Sequence, residues 1–347
     1  MNPSIWSLLI MSLATGTIIT MSSHHWMLAW LGLEINTLAI IPIITKHHHP
    51  RATEAGTKYF LIQAAASALI MFASMTNAWT TNQWDITQLT NQQASMMFTL
   101  AIAMKLGLVP VHLWFPEIMQ GATIKTALII STWQKIAPLT LLYLTSNHLH
   151  STLLLTLSLL SSILGGISGL NQTQTRKILA YSSITHMGWL TMTLLLTPNL
   201  TLLTLTLYIM LTTTVFSTLI ETTTKTITDL GTSWTHSPTT LTLTMMTLLS
   251  LGGLPPLTGF MPKLLILKDM TTSELVTPSI ILALSSLPSL FFYLRMAYFT
   301  IMTAPPTPAT TPYKWRFPLP TKPMMAPLTA TTNLLLPLTP LIYNLTL

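Results

Sequence analysis

Apolar windows of about twenty residues, the length an α-helix needs to cross a hydrocarbon core, recur from one end of this 347-residue sequence to the other. In lipid every backbone polar group must find a partner inside the protein, so such segments can only be helices or strands of a closed barrel. Threonine-rich runs such as TLLTLTLYIMLTTTVFSTL favour strands by propensity. A barrel with a polar lumen demands alternation, however, and these runs do not alternate cleanly. Helix is therefore expected, with each threonine hydroxyl bonding back to its own helix. Charged residues are only 7% of the chain, hydrophobic residues are 50%, and the mean hydropathy is +0.58. A soluble domain carries roughly a quarter charged residues. The expected class is an all-α polytopic integral membrane protein.

The pattern predicts about eleven spans, near 3–22, 25–45, 57–77, 94–120, 123–145, 150–171, 176–197, 199–220, 239–267, 274–300 and 323–345. No cleavable signal or Arg-rich transit peptide precedes the first, so insertion at the site of synthesis is expected. The net charge of +7 would suggest nucleic acid in a soluble protein, but here the charges lie in short loops between spans. Loops after even-numbered spans carry Lys46, Arg51, Lys58, Lys125, Arg176, Lys177, Lys225, Lys314, Arg316 and Lys322; loops after odd-numbered spans carry Lys268 alone. By the positive-inside rule the even-span loops and the N-terminus face the cytoplasm or its equivalent, the mitochondrial matrix, with the C-terminus opposite. No nucleic-acid partner is expected.

Cysteine is absent, which excludes disulfides, thiolate metal sites and cysteine-held iron–sulfur clusters in this chain. The LGGISGL stretch at 164–170 lies in an apolar helical run and is weak evidence for a nucleotide site. KHHHPR at 46–51 has the residue types to bind metal but reads better as a solvated loop.

One phrase occurs twice. GLVPVHLWFPE (107–117) and GLPPLTGFMPK (253–263) share Gly-Leu, then proline at offset 3, proline at offset 9 and a charge at offset 10. They fall in spans four and nine, and five spans apart means opposite direction. The expected organisation is one transmembrane domain, 1–347, built of two inverted five-helix units, 3–145 and 150–300, with discontinuous helices, plus a C-terminal helix at 323–345. Such repeats form many ion-coupled transporters, with the pathway near the midplane.

Charges also occur where a span should have none. Glu34 lies in MLAWLGLEINTLAII, Lys105 in TLAIAMKLGLVP, Lys135 in LIISTWQKIAPLTLL, and Lys263 just after the second break. A charge at the bilayer centre costs roughly 2.5–3.5 kcal/mol on insertion scales. Snorkelling explains Lys268 or Arg295 near span ends, but not Lys105 or Lys135 deep in apolar sequence. Removing a lysine from water favours its neutral form, and a nearby carboxylate restores the charge, so a Lys–Glu pair is a tunable proton site. Pro110 and Pro138 follow Lys105 and Lys135 and free carbonyls that can hold water. His112 and His186 are possible relays, each equally readable as a structural histidine. Glu117 aligns with Lys263 in the repeat, yet falls near a span end.

At these residues the sequence resembles the chain 2 family of mitochondrial NADH:ubiquinone oxidoreductase, respiratory complex I, in its vertebrate form. The resemblance covers nearly the whole chain and rests on SSHHWMLAWLGLEINTLAIIPI, RATEAGTKYFLIQAAAS, AMKLGLVPVHLWFPEIMQG, TWQKIAPL, GGISGLNQTQTRKILAYSSITHMGW and LLSLGGLPPLTGFMPK. It implies an antiporter-like membrane-arm subunit of the inner mitochondrial membrane that pumps protons when quinone reduction elsewhere drives it. Glu34 and Lys105 look like the family's glutamate–lysine pair, Lys135 like the connecting lysine of a hydrated central axis, and Lys263 like the lysine of the second broken helix. His112 and His186 fall in family motifs with less defined roles. The implied partners are neighbouring antiporter-like and small membrane-arm subunits and membrane lipids. NADH, FMN, iron–sulfur clusters and ubiquinone would belong to other subunits, with no cofactor in this chain. Longer relatives carry further N-terminal helices that this chain lacks, as animal mitochondrial members do. Residues alone leave two other classes open: a free-standing cation/proton antiporter, and a structural subunit whose charges only hold helices together.

Overall fold

A computed structural model describes residues 3–233, 238–302 and 325–341. They form helices α1 (Pro3–Ser22), α2 (Trp26–Ile44), α3 (Pro50–Thr81), α4 (Gln92–Leu106), α5 (Trp114–Gly121), α6 (Ile124–Ser131), α7 (Trp133–Leu144), α8 (Ser151–Gly169), α9 (Thr175–Leu196), α10 (Pro198–Thr222), α11 (Ile227–Thr232), α12 (Pro238–Gly252), α13 (Phe260–Thr272), α14 (Val276–Met302) and α15 (Met325–Leu334). The threonine-rich run expected to be helical is α10. Its hydroxyls bond back along the helix, Thr212 to the Tyr208 carbonyl, Thr214 to Leu211 and Thr218 to Val215, each at 2.7 Å.

Seven stretches among the described residues are long and apolar enough to cross a membrane, the pair α6–α7 counting as one. The remaining four expected spans differ for separate reasons. Spans 94–120 and 239–267 are each split in two. Span 176–197 is α9, whose first turn carries Arg176 and Lys177 and whose buried positions include Ser182, Ser183, Thr185, Thr191 and Thr193. Span 323–345 is seen as α15 and a short 3₁₀ turn at Leu336–Leu338, its two ends lying outside the described residues, as do Lys314, Arg316 and Lys322. At 32 residues, α3 measures about 48 Å at 1.5 Å per residue, longer than a hydrocarbon core of about 30 Å. Its first turns carry the charged residues Arg51, Glu54 and Lys58.

Close helix contact is made by glycine. Gly16 of α1 meets Gly32 of α2, where an added Cβ on either residue would stand within 2.9 Å of the other's carbonyl oxygen. Gly165 of α8 meets α9 at Thr185, and Gly188 of α9 meets the Ser158 carbonyl of α8. The glycines of LGGISGL thus let α8 approach its neighbours, the common use of small residues in membrane helices. Backbone bonds tie loops in the same arrangement twice. The α1–α2 loop joins the α3–α4 loop through Trp26 N–H to the Trp84 carbonyl (3.1 Å) and Ile86 N–H to that of His24 (3.0 Å). The α8–α9 loop joins the α10–α11 loop through Thr175 N–H to the Lys225 carbonyl (3.2 Å) and Ile227 N–H to that of Thr173 (3.1 Å). Other ends are capped by ordinary means. His49 Nδ1 accepts from the Arg51 N–H at the start of α3, and Arg295 donates to the Leu170 carbonyl (2.7 Å) past the end of α8 rather than reaching for a surface.

Candidate functional site

The repeated phrase is a helix stop followed by a restart. Gly107 (φ +74°) ends α4 and Gly253 (φ +85°) ends α12, both left-handed. In each case the leucine that follows donates its N–H five residues back, Leu108 to the Ala103 carbonyl (2.9 Å) and Leu254 to Leu249 (3.4 Å). This is the bonding of a glycine-terminated helix. The later proline of the phrase, Pro116 or Pro262, is the third residue of the restarted helix, where its missing N–H has no intrahelical acceptor to leave empty. A charged residue follows it, Glu117 in α5 and Lys263 in α13.

The first break opens onto a cavity of about 20 Å³, room for about one water. Its lining includes Asn36, Tyr59, Gln63, Lys105, Gln134 and Lys135. The break frees the Lys105 carbonyl, and Gln63 Nε2 from α3 donates to it at 3.5 Å. Gln134 Nε2 donates to Asn36 Oδ1 (2.8 Å), and Tyr59 Oη donates to Gln134 Oε1 (3.4 Å). Lys105 is 6% exposed, and its Nζ has no hydrogen-bond partner; neither has Glu34 Oε2. No ion pair within 4.0 Å joins them, whereas Lys58 is paired with both Glu54 and Glu117. Glu34 lies on α2, the helix that also supplies Leu33, Asn36 and Thr37 to the lining of this cavity.

Lys135 sits where a second irregularity interrupts span five. The turn falls at Thr132 (φ −112°, ψ −69°), ahead of the lysine, while Pro138, expected to open the helix, lies within α7. The Lys135 N–H turns to the Thr132 carbonyl (3.3 Å), which leaves the Ser131 carbonyl free. Tyr208 of α10 donates its hydroxyl to that carbonyl (3.1 Å), and Lys135 Nζ donates to Tyr208 Oη (3.2 Å). The ammonium also lies 4.9 Å from the Phe115 ring centroid and 5.1 Å from that of Tyr208, distances at which an aromatic face attracts a cation.

The second cavity, about 40 Å³, is lined by residues including His186, Trp189, Thr204, Tyr208 and Lys263. Lys263 Nζ donates to the Gly252 carbonyl (2.9 Å), one of those released by the second break. It lies 5.7 Å from the Trp189 ring centroid. His186 stands with its ring centroid 5.6 Å from that of Tyr208, and its Nε2 is 3.5 Å from Tyr293 Oη. Lys105 and Lys135 therefore share one cavity, Lys263 and His186 share another, and Tyr208 is bonded to the first while lining the second.

The remaining sequence candidates fall elsewhere. His112 lies in the first break, half-buried, with Nδ1 3.3 Å from the Pro110 carbonyl, and lines neither cavity. Glu117 is exposed and paired with Lys58 (2.7 Å). Sequence reasoning missed Tyr208, Tyr59, Gln63, Gln134 and Asn36. Tyr208 lies within the threonine-rich run TLLTLTLYIMLTTTVFSTL, where nothing marked its hydroxyl.

Two family models match the chain: NADH:quinone oxidoreductase/Mrp antiporter, transmembrane, over residues 23–289, and NADH dehydrogenase subunit 2 C-terminus over 290–343. NADH-ubiquinone oxidoreductase chain 2 of Struthio camelus is 56% identical over 342 residues, covering 99% of each chain. The protein of the same name from Gallus gallus is 54% identical over 345 residues, covering 99% of this chain and all of the relative. Among solved structures, respiratory complex I from Thermus thermophilus with bound aureothin contains a chain of the same fold. Its TM-score is 0.83 at 23% identity, covering 99% of this chain and 78% of that one. The Mrp complex from Dietzia gives a TM-score of 0.83 at 14% identity, covering 97% and 76%. These two likenesses speak to fold alone.

Proposed function

Because the chain belongs to the NADH:quinone oxidoreductase/Mrp antiporter family, and within it with NADH-ubiquinone oxidoreductase chain 2, we propose that it moves protons through Glu34, Lys105, Lys135 and Lys263 as a membrane-arm subunit of respiratory complex I. The observation that carries the residue assignment is the pair of lysine-lined cavities joined at the Lys135–Tyr208 hydrogen bond. A lysine held in low dielectric exchanges its proton as nearby charge and hydration change. Lys105, unbonded at Nζ and within the field of Glu34, is the responsive group of the first half. Lys135 receives the proton in the same cavity. Lys263 and His186 receive it in the second. His112, outside both cavities, is assigned no step.

The redox chemistry belongs elsewhere in the assembly. NADH, FMN, iron–sulfur clusters and ubiquinone are assigned to other subunits, and a chain without cysteine cannot supply the thiolates an iron–sulfur cluster needs. The repeated helix stop, the twice-used loop pairing and the two glycine crossings support two inverted units, 3–145 and 150–300, with 323–345 as an added helix. The charge bias of the loops supports an N-terminus in the matrix and a C-terminus in the intermembrane space. Exposed apolar side chains on α1, such as Leu8, Met11 and Ile18, suit lipid and adjoining antiporter-like or small membrane-arm subunits.

The test uses assembled complex in proteoliposomes, with quinone reduction and acidification followed together. Lys105→Ala and Lys135→Ala should each impair proton transport, and NADH oxidation with it, while Lys225→Ala in a surface loop should change little. Normal assembly with wild-type protons per electron in both lysine variants would make the chain a scaffold. Migration of the chain on a native gel apart from any NADH-oxidising assembly would favour a free-standing antiporter instead.

A further inference from the structure

We propose that Tyr208 is the gate between the two lysine cavities, its hydroxyl relaying a proton from Lys135 only when it turns away from the Ser131 carbonyl. This rests on the proton-moving role proposed above for Lys135. Among the described residues none lines both cavities: Lys135 lines the first and Tyr208 the second, and the 3.2 Å bond between them is where the two meet.

A tyrosine hydroxyl has one hydrogen to donate and lone pairs to accept. Here Tyr208 spends its hydrogen on the Ser131 carbonyl (3.1 Å) while accepting from Lys135 Nζ. A backbone carbonyl cannot take that proton and pass it on, so this arrangement is closed. The latch is supplied by the irregular turn at Thr132. In a continuous helix the Ser131 carbonyl would accept from the Lys135 N–H, which instead bonds Thr132. Straightening or shifting that turn would remove the acceptor and release the hydroxyl.

Once released, the hydroxyl can aim its hydrogen into the second cavity, whose 40 Å³ holds roughly two or three waters. The ring of His186 stands close by, at 5.6 Å between centroids. In the relay, one N–H bond of the Lys135 ammonium breaks as a new O–H bond forms at Tyr208 Oη. The original O–H bond breaks at the same time, and its proton passes through the cavity to the neutral imidazole of His186 or the neutral amine of Lys263. Tyrosine is uncharged before and after, Lys135 is left as an amine, and rotation about the C–O bond resets the gate. Lys135 needs no carboxylate partner for this: its charge is held by two aromatic faces and one hydroxyl, contacts that do not bind the proton irreversibly.

The experiment compares Tyr208→Phe, Tyr208→His and Lys135→Ala in assembled complex in proteoliposomes, with assembly checked on native gels. A positioned proton-transfer side chain contributes about 10²–10⁴-fold, so Tyr208→Phe should lower proton transport at least about tenfold. Tyr208→His, which both accepts and donates, should retain several times more than Tyr208→Phe. A packing role gives the opposite order, because phenylalanine keeps the ring in place. Tyr208→Phe transport within about twofold of wild type, or equal to or above that of Tyr208→His, overturns the gate. If one variant fails to assemble, the other decides: active His supports the relay and inactive His sinks it, while Phe is read against wild type. Failure of both to assemble makes the hydroxyl a packing element. Lys135→Ala separates the two ideas: transport lost there but kept in Tyr208→Phe refutes the gate alone, whereas transport kept in Lys135→Ala refutes the function it rests on.

Discussion

Lys105 and Lys263 flank the same backbone device, and the two halves use it in opposite ways. In the first, the carbonyl freed by the break, that of Lys105 itself, is taken by Gln63 from α3, and Lys105 Nζ is left without a hydrogen bond. In the second, the freed carbonyl of Gly252 is taken by Lys263 Nζ, which has Trp189 beside it. One lysine is left without a hydrogen bond at Nζ, and the other is held by the carbonyl of its own break. A repeated fold therefore does not imply a repeated site. Placing the charge two residues before the stop or ten residues after it decides which atoms it can reach.

The largest effect that would sharpen this contrast is expected at Glu34. Glu34→Gln in assembled complex should reduce proton transport about as far as Lys105→Ala, at least about tenfold, since a positioned acid–base group is worth that or more. The double variant should be no worse than either single one, because groups that act as a unit are not additive. Acidification of proteoliposomes reads this directly, and losses that simply add would separate the two residues.

Next in size is the pair Gly107→Ala and Gly253→Ala. Both force an ordinary residue into the left-handed region, at about 1–2 kcal/mol. At Gly253 the new Cβ would also stand 3.0 Å from Lys263 Cδ and Nζ, whereas at Gly107 the nearest atom is Phe115 Cβ at 3.4 Å. Heat inactivation of the complex should therefore come earlier for Gly253→Ala, and adding Lys263→Ala should recover part of the difference. Equal inactivation would show that Lys263 does not depend on its break.

A smaller loss is expected for Gln63→Leu, which orphans the buried Lys105 carbonyl. An unsatisfied buried group costs about 1–3 kcal/mol, and the 3.5 Å bond places this case at the low end. The measurement is again the inactivation midpoint, and no shift would mean that the carbonyl finds water instead. The smallest effect should come from Lys58→Ala. Its two partners are exposed, and surface ion pairs contribute little and are screened by salt. Proton transport should be unchanged; a clear loss would bring Glu117 and Lys58 into the path.

Much of this was legible in the sequence because membranes impose severe rules. Apolar length alone marked α1, α2, α3, α8, α10 and α14, and the Gly-Pro phrase marked both stops. Lys105, Lys135 and Lys263 stood out because a charge among apolar neighbours is costly, and all three prove buried. Asn36, Gln63, Gln134 and Tyr208 did not, because an uncharged polar side chain costs less in a span and this chain is full of them. Pro138 pointed to a real irregularity near Lys135, but the turn formed at Thr132, where no single residue type announces it.

The sequence by itself determined that the chain is helical, that two of its helices stop at Gly107 and Gly253, and which charges must be shielded. Those follow from hydrogen-bond satisfaction and burial costs, which act residue by residue along the chain. Only the tertiary structure decided that Lys135 meets a tyrosine 73 positions away, that Gln63 rather than a lysine closes the first break, and that His186 lines a lysine-bearing cavity while His112 lines neither. Those outcomes depend on the rotation and spacing of packed helices, set by close contacts such as Gly16 on Gly32 and Gly165 on α9. Helix packing joins residues far apart in the chain, and no local pattern encodes the partner.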